Sequence, residues 1–415
     1  MSANARSFDR WIRSSFIQLN TELEELYFAQ EDRSDLSQVG HDLRQTLHDE
    51  GRALIAQLHR EGNTDEGFEP AFELLGNVGL YMGACRRHEL TEPSRESTSP
   101  LVEASGLAMH IGASLGVAPR FATSHLSTHN MAVNGQYRSF TSLKDEFLFL
   151  DYNTRGIFAY KRAADALVRT VPLGITHPVT GDLLKAAKDA LTDVAHYNEK
   201  LFAQLDTDRF FYSVRPYYKP YRVGRSEYRG ANAGDFAGIN EIDLLLGLCQ
   251  AEDPSYSQLL VDKFLYMMPE DQARLRDCMR RRSLLDQTLS ALDESDRGRD
   301  FEHNARLLLE VCEAHGKTAS QHHNQLVHRF IQRPSESLPD QHLKHITASG
   351  PPLEVLMRAL EKLKDLRTAA PRDDIASRYR DLAKINDALG IGDGDADGVA
   401  VEAATDPADP AATLS

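Results

Sequence analysis

The segment Arg209–Gly230, RFFYSVRPYYKPYRVGRSEYRG, gathers seven Phe and Tyr residues and six Lys and Arg residues. Rings and cations at this density can hold a flat aromatic ligand that bears a carboxylate. Rings supply contact area, and a guanidinium offers a carboxylate two parallel N–H donors. Arg215 stands between FFYSV and PYY. A guanidinium among rings needs an anion, because a buried unpaired charge is costly. The anion is either a structural Asp or Glu or the carboxylate of a ligand. Pro216 and Pro220 keep the stretch out of helix interiors. Arg222 and Arg225 are candidates for further carboxylates or for ordinary surface solvation. The chain then enters GANAGDFAG, residues 230–238, whose small residues let backbone approach a ligand closely. This loop lacks the GxGxxG and GxxxxGK[ST] spacings, so nucleotide binding has little support. No HExxH helix and no GxSxG elbow occur.

A second candidate lies in AHGKTASQHHNQLVHRF, Ala314–Phe330. On a helical wheel His323 shares a face with Gly316, Ala319, Val327 and Phe330. Side chains lean toward the helix N-terminus, so small residues one and two turns earlier clear a flat space before the imidazole. A porphyrin with a proximal histidine needs such a space. His315, His322, His323 and His328 crowd one segment, so periodicity alone does not choose among them, and each is equally an ordinary core or surface histidine.

These residues must be positioned by helices. Phe8, Trp11, Ile12, Phe16, Leu19 and Leu23 recur at three- and four-residue steps, the spacing of one buried helical face. Similar periodicity predicts helices over about 36–60, 68–90, 100–116, 143–171, 182–205, 237–250, 256–281, 299–332 and 353–389. No convincing strand pair and no internal repeat is evident, so the expected class is all-α. GVAPR, residues 116–120, breaks the pattern. The expected units are a small N-terminal helical domain over 1–119, a ligand-binding helical domain over 120–390 and a disordered acidic tail over 391–415. Two polar stretches, 121–141 and 332–352, read as long loops, which tend to be functional. The tail's DGDADG, residues 393–398, imitates the start of a calcium loop. Its twelfth position is Ala404 and no helix follows, so a solvated tail is the better reading.

Composition narrows the function classes. The 415 residues carry 47 basic and 62 acidic side chains, a formal charge of −15. So acidic a chain is ill suited to nucleic acid or an anionic membrane. No apolar run approaches the ~20 residues of a membrane span. Cys85, Cys249, Cys278 and Cys312 are isolated, without a CxxC pair, which suggests neither a disulfide framework nor a zinc knuckle. A cytoplasmic setting is the expectation.

Taken together, the motifs resemble a known family. FFYSVRPYY followed by GANAGDFAGINEIDLLLGL is similar to the FF-x-V-x-R…GGSAGQSS…D-x-LLG stretch of the indoleamine 2,3-dioxygenases. It resembles more closely the monodechloroaminopyrrolnitrin synthase family within that haem superfamily, whose pattern is FY-x-x-LRPFYEPIRVGG-x-x-Y-x-G. GLYMGACRRHE (Gly79–Glu89), HLSTHN (His125–Asn130), YMMPEDQARL (Tyr266–Leu275), HNQLVHRFI (His323–Ile331) and TASGPPLEVL follow in the family's order, so the likeness covers roughly 75–365. It implies an indoleamine 2,3-dioxygenase-like helical fold, haem b as cofactor, and His323 as the proximal iron ligand. Arg215 falls where the family's arginine meets the substrate carboxylate, and Asn232, Ala233 and Gly234 fall in the loop beside haem and substrate. Phe158 falls on the distal wall, with His125 and Asn130 in a matching loop. Arg222 is a candidate for the haem propionates. The implied partners are an aromatic amino acid, O2 or H2O2 and a candidate reductase.

Lys161 stands where the dioxygenases have a small serine, and Asn232 and Asp235 replace polar Ser and Gln positions. Oxidative rearrangement of tryptophan or a halogenated relative is therefore the expected reaction. The alternatives are dioxygenase-type ring cleavage, a haem-binding protein without turnover, and a haem-free helical binding module.

Overall fold

The computed structural model describes residues 1–61, 66–231, 234–294, 298–332, 334 and 353–391. The predicted Gly-rich loop at 347–352 and the DGDADG motif lie outside the described residues. Among the described residues the chain is all-α apart from one small hairpin. The N-terminal part holds α1 (Ala3–Ile12), α2 (Ser15–Phe28), α3 (His41–Glu61), α4 (Phe68–Arg87), α5 (Val102–Leu115) and the short α6 (Thr123–Leu126). Next come α7 (Lys144–Leu173), α8 (Pro178–Gln204) and the single turn α9 (Thr207–Arg209). The hairpin β1 (Tyr221–Val223) and β2 (Ser226–Tyr228) precedes α10 (Gly238–Leu246), α11 (Pro254–Phe264), α12 (Pro269–Cys278) and α13 (Leu284–Leu292). The last helices are α14 (Phe301–Gln321), α15 (Leu353–Arg367) and α16 (Tyr379–Ala388).

The predicted helix over 256–281 is two. Pro269 excludes helical geometry from Met268, whose ψ is 150°. The hairpin was not visible in the periodicity because each strand has three residues. Its two-residue turn is made by Gly224 and Arg225, with Gly224 at φ +57°, a conformation glycine adopts without penalty.

Apolar side chains form two large clusters. The first joins α1–α5 to Phe121, Phe140 and the stretch Leu201–Val223. It therefore draws on both sides of residue 120. The second joins the C-terminal part of α7 to α8 and α10–α16. α7 and α8 pack along each other, and α14 lies on α8.

The 121–141 stretch is part of the first core. Phe121 is fully buried, and Arg138 is buried against Asp9 and Glu73 at 2.8 and 3.0 Å. Glycines of α4 admit it: a Cβ on Gly79 would lie 2.3 Å from the Phe121 backbone nitrogen, and one on Gly76 2.5 Å from His125. Because the obstacle at Gly79 is backbone, Gly79→Ala should cost about 3 kcal/mol. Urea melting monitored by circular dichroism checks this; an unchanged midpoint would refute the close approach.

Candidate functional site

Both chemistry-bearing stretches leave ordinary α-geometry. Phe210–Val214 is a π-helical turn leading straight into Arg215, and α14 passes at Gln321 into a π-helical segment, His322–Gln332. Widened turns of this kind recur at functional sites. The two segments pack together: Phe330 meets Phe210 edge-on at 6.1 Å and Phe202 at 6.0 Å, and Arg329 donates to the Phe202 carbonyl at 3.2 Å. The fold thus brings the histidine segment against the FFYSV–Arg215 turn.

Arg215 is 6% exposed. Its guanidinium lies 5.4 Å from the Phe211 ring centroid. Among the described residues it has no ion pair or hydrogen bond. Burial pulls its pKa down to about 10, so it remains a cation at neutral pH. A buried cation without an anion is unfavourable, and no Asp or Glu among the described residues pairs with this one.

The histidines separate by orientation. His315 is buried and donates from Nε2 to Asp243 at 2.7 Å, a structural bond. His322 is exposed, and its pKa is lowered from the ordinary histidine value by local desolvation and by Arg367, His323 and Lys263. His323 is half-buried on the side of α15, near Lys364, Glu361 and Asp365. Its Nδ1 is buried and has no hydrogen-bond partner.

Gly316 does not clear room for a flat ligand as its spacing suggested. A Cβ there would meet the Arg367 carbonyl at 3.2 Å and Thr368 at 3.3 Å, so the small residue serves the close packing of α14 on the end of α15.

Asn232 and Ala233 lie outside the described residues. Their neighbour Asp235 is 8% exposed and accepts from Arg120 at 2.8 Å and from Arg229. Both guanidiniums lie over the Tyr266 ring, at 4.3 and 4.4 Å. This stack fixes the end of the small-residue loop just after Gly234. Beside it a small cleft is lined by Ser124, His129, Ile157, Lys161, Asp235 and Glu270, among others. Phe158, next to Ile157 on α7, leaves 50% of its surface uncovered.

Three of the expected site residues are engaged elsewhere. His125 is 2% exposed and stacks on Phe72 at 3.9 Å. Its Nδ1 accepts from the Ala122 N–H at 2.8 Å and its Nε2 donates to the Phe72 carbonyl at 2.9 Å. With both nitrogens committed and burial pushing its pKa down to about 3, it pins a loop and has no free atom for catalysis. Asn130 is committed likewise, to Leu126 and Arg138 backbone. Arg222 donates to the carbonyls of Arg225 and Pro93 at 2.6 and 3.1 Å and pairs with Glu227 at 3.5 Å. It holds the hairpin together and has no support as a propionate ligand.

Sequence reasoning missed Asp243. The carboxylate is completely buried and binds Arg367 twice, at 2.8 Å each, His315 at 2.7 Å and the Tyr256 hydroxyl at 2.7 Å. Burial alone would raise its pKa, but Arg367 and the His315 bond outweigh that and hold it well below the usual range. Its contribution to stability is therefore present above the ordinary carboxylate pKa of about 4 and is lost as pH falls below it. Arg367→Met should cost about 3–5 kcal/mol near neutral pH, since it strands a buried carboxylate, and the loss should shrink as pH falls and Asp243 takes up a proton. A urea series from pH 3 to 7 tests both; a loss that does not change with pH would contradict this account.

Among the described residues no cluster of three His, Cys, Asp or Glu side chains could hold a bare metal ion. A haem iron needs only an axial ligand from the protein. Two adjacent imidazoles without protein hydrogen bonds among the described residues, one with a sealed and orphaned Nδ1, fit that requirement. No helix is long and apolar enough to cross a membrane among the described residues. The family model described as monodechloroaminopyrrolnitrin synthase PrnB matches residues 2–389. With nearly the whole chain matched and the family's arginine and histidine segments packed against each other, this protein belongs to the monodechloroaminopyrrolnitrin synthase PrnB family.

Proposed function

We propose that this protein is a haem b-dependent oxidoreductase that oxidises and rearranges tryptophan or a ring-substituted, halogenated tryptophan in a pyrrolnitrin-type pathway. The observation that carries the reading is Arg215: a buried guanidinium with no anion among the described residues, on the turn that packs against the histidine segment. Membership of the PrnB family supports an enzyme acting on a tryptophan derivative.

In this reading Arg215 takes the substrate carboxylate through two N–H donors and so decides which indole carbon is presented for oxidation. Orientation of this kind can supply a large part of a rate enhancement. Phe211 backs the guanidinium, and Phe158 offers an uncovered ring for the indole face. His323 is the residue assigned to the iron. When bound, haem supplies an iron centre able to use dioxygen or peroxide against the electron-rich indole. A reductase is needed only if dioxygen is the oxidant. A cytoplasmic location and the division into units over 1–119 and 120–390 belong to the same reading.

The test is direct. Protein expressed with a haem precursor is expected to show a Soret band that shifts on adding L-tryptophan. Mass spectrometry with oxygen and reductant, or with peroxide, should detect an oxidised, rearranged product. N-formylkynurenine would redirect the reading to ring cleavage. A Soret band without turnover of any indole amino acid would leave a haem carrier, and colourless protein would overturn it.

A further inference from the structure

The cleft beside the Asp235 stack holds a carboxylate that neither the clamp nor the histidine segment uses. Asp271, in the first turn of α12, is 7% exposed and lines that cleft. Among the described residues its oxygens accept no hydrogen bond. Its one ion pair there is with Lys161 of α7, whose Nζ stops at 3.6 Å, beyond hydrogen-bonding reach. The next cation along α12, Arg274, is spent on Glu241 and Asp165, each at 2.7 Å. The helix N-terminus favours a negative charge but gives these oxygens no donor, and carboxylates so buried are otherwise almost always hydrogen-bonded. The rest of the lining adds no cation. Asp235 is neutralised by Arg120 at 2.8 Å and by Arg229, whereas Glu270 is exposed and unpaired among the described residues. Lys161 alone stands against two carboxylates, Glu270 and Asp271. Ser124, also on the lining, has a buried Oγ without a partner among the described residues, one more acceptor. Ile157, Phe236 and Met268 make the apolar part of the wall. Phe158 stands three positions before Lys161, so the two are neighbours on the surface of α7, and half of the Phe158 surface is uncovered.

We propose that this cleft binds a primary ammonium group, with Asp271 as its anchor and Ser124 as a further acceptor, and that the ligand's aromatic body lies on Phe158. Lys161 balances the charge of Asp271 from a distance without occupying its oxygens. They stay open to the N–H donors of a ligand, and an ammonium carries three. The ligand class is an arylalkylamine or an aromatic amino acid. Naming the substrate's own ammonium as the occupant rests on the reading above; the amine site itself does not.

Calorimetric titration of the full chain with tryptamine, L-tryptophan and indole-3-propionate tests this without haem and without turnover. Colourless protein would sink the haem reading and leave this result to stand or fall by itself. Asp271→Asn should weaken tryptamine by about ten- to a hundredfold, the range for loss of a hydrogen bond to a charged group. Indole-3-propionate, which has no ammonium, should bind that variant as it binds wild type. Lys161→Gln should bind tryptamine severalfold more tightly, because a like charge beside the ammonium is gone, a gain that a purely structural pair would not give. If L-tryptophan weakens in parallel with tryptamine in Asp271→Asn, the substrate's ammonium occupies the cleft. If tryptamine alone weakens, the site stands and takes a free amine. Where the asparagine variant does not fold, the lysine variant decides. The proposal is overturned by wild-type protein that does not bind tryptamine, or by a folded Asp271→Asn protein with native affinity for it. Equal weakening of indole-3-propionate, or a Lys161→Gln protein without the gain, overturns it as well.

Discussion

Replacing His323 by alanine is expected to abolish the Soret band while circular dichroism and melting stay close to native. In the proposed reading His323 would hold the iron, so its loss would remove most of the specific affinity for haem, whereas a half-buried imidazole whose Nδ1 has no partner among the described residues contributes little to folding. His322→Ala should keep the band. The pair of variants discriminates because the two imidazoles have different surroundings: Arg367 and Lys263 lie near an exposed His322, and Lys364, Glu361 and Asp365 near a half-buried His323. Should the band vanish in His322→Ala and survive in His323→Ala, the iron sits on His322 and the register inferred from HNQLVHRFI is off by one. His315 is no rival, since Asp243 holds its Nε2 at 2.7 Å.

The second large effect is at Arg215. Arg215→Met should cut kcat/KM by about 100- to 1,000-fold, the equivalent of about 3–4 kcal/mol for losing a bidentate charged contact to substrate. Haem content should be unaffected. The same change should make the ligand-free protein more stable, by about 1–3 kcal/mol, because it removes an unpaired buried cation and leaves an apolar chain beside Phe211. Wild-type protein should gain stability on adding L-tryptophan, and the variant should gain none. A variant that is less stable without ligand would mean that the guanidinium has a structural partner, and the clamp assignment would fail. Tryptamine, lacking the carboxylate, should discriminate poorly between the two proteins.

How much could be read from the chain follows from which interactions are local. The helices were legible because burial of one face writes itself as a three- and four-residue period, and α3, α4, α5 and α7 begin and end close to the expected positions. Arg215 and the histidine cluster stood out because their types are unusual in their surroundings. What failed was everything decided by a partner far along the chain. Asp243 and Arg367 are 124 residues apart, and no spacing announces them. His125 looked catalytic because polar residues in a long loop read alike whether they bond a ligand or a carbonyl; its acceptor is Phe72, 53 positions away. Gly316 carries the same ambiguity, since a missing side chain admits a ligand or a neighbouring helix equally well.

The departure from α-geometry after Gln321 has a consequence for insertions and deletions. Successive α-helical residues step by about 100° around the axis. A one-residue deletion between Asn324 and Val327 that let the rod run on regularly would swing Phe330 away from Phe202 and Phe210, or else rotate the preceding imidazoles off their present bearings. The loosened turns thus act as a phase adjuster, setting the aim of the upstream half independently of the anchoring of the downstream half. Sequences of this kind should tolerate substitutions there far better than changes in length.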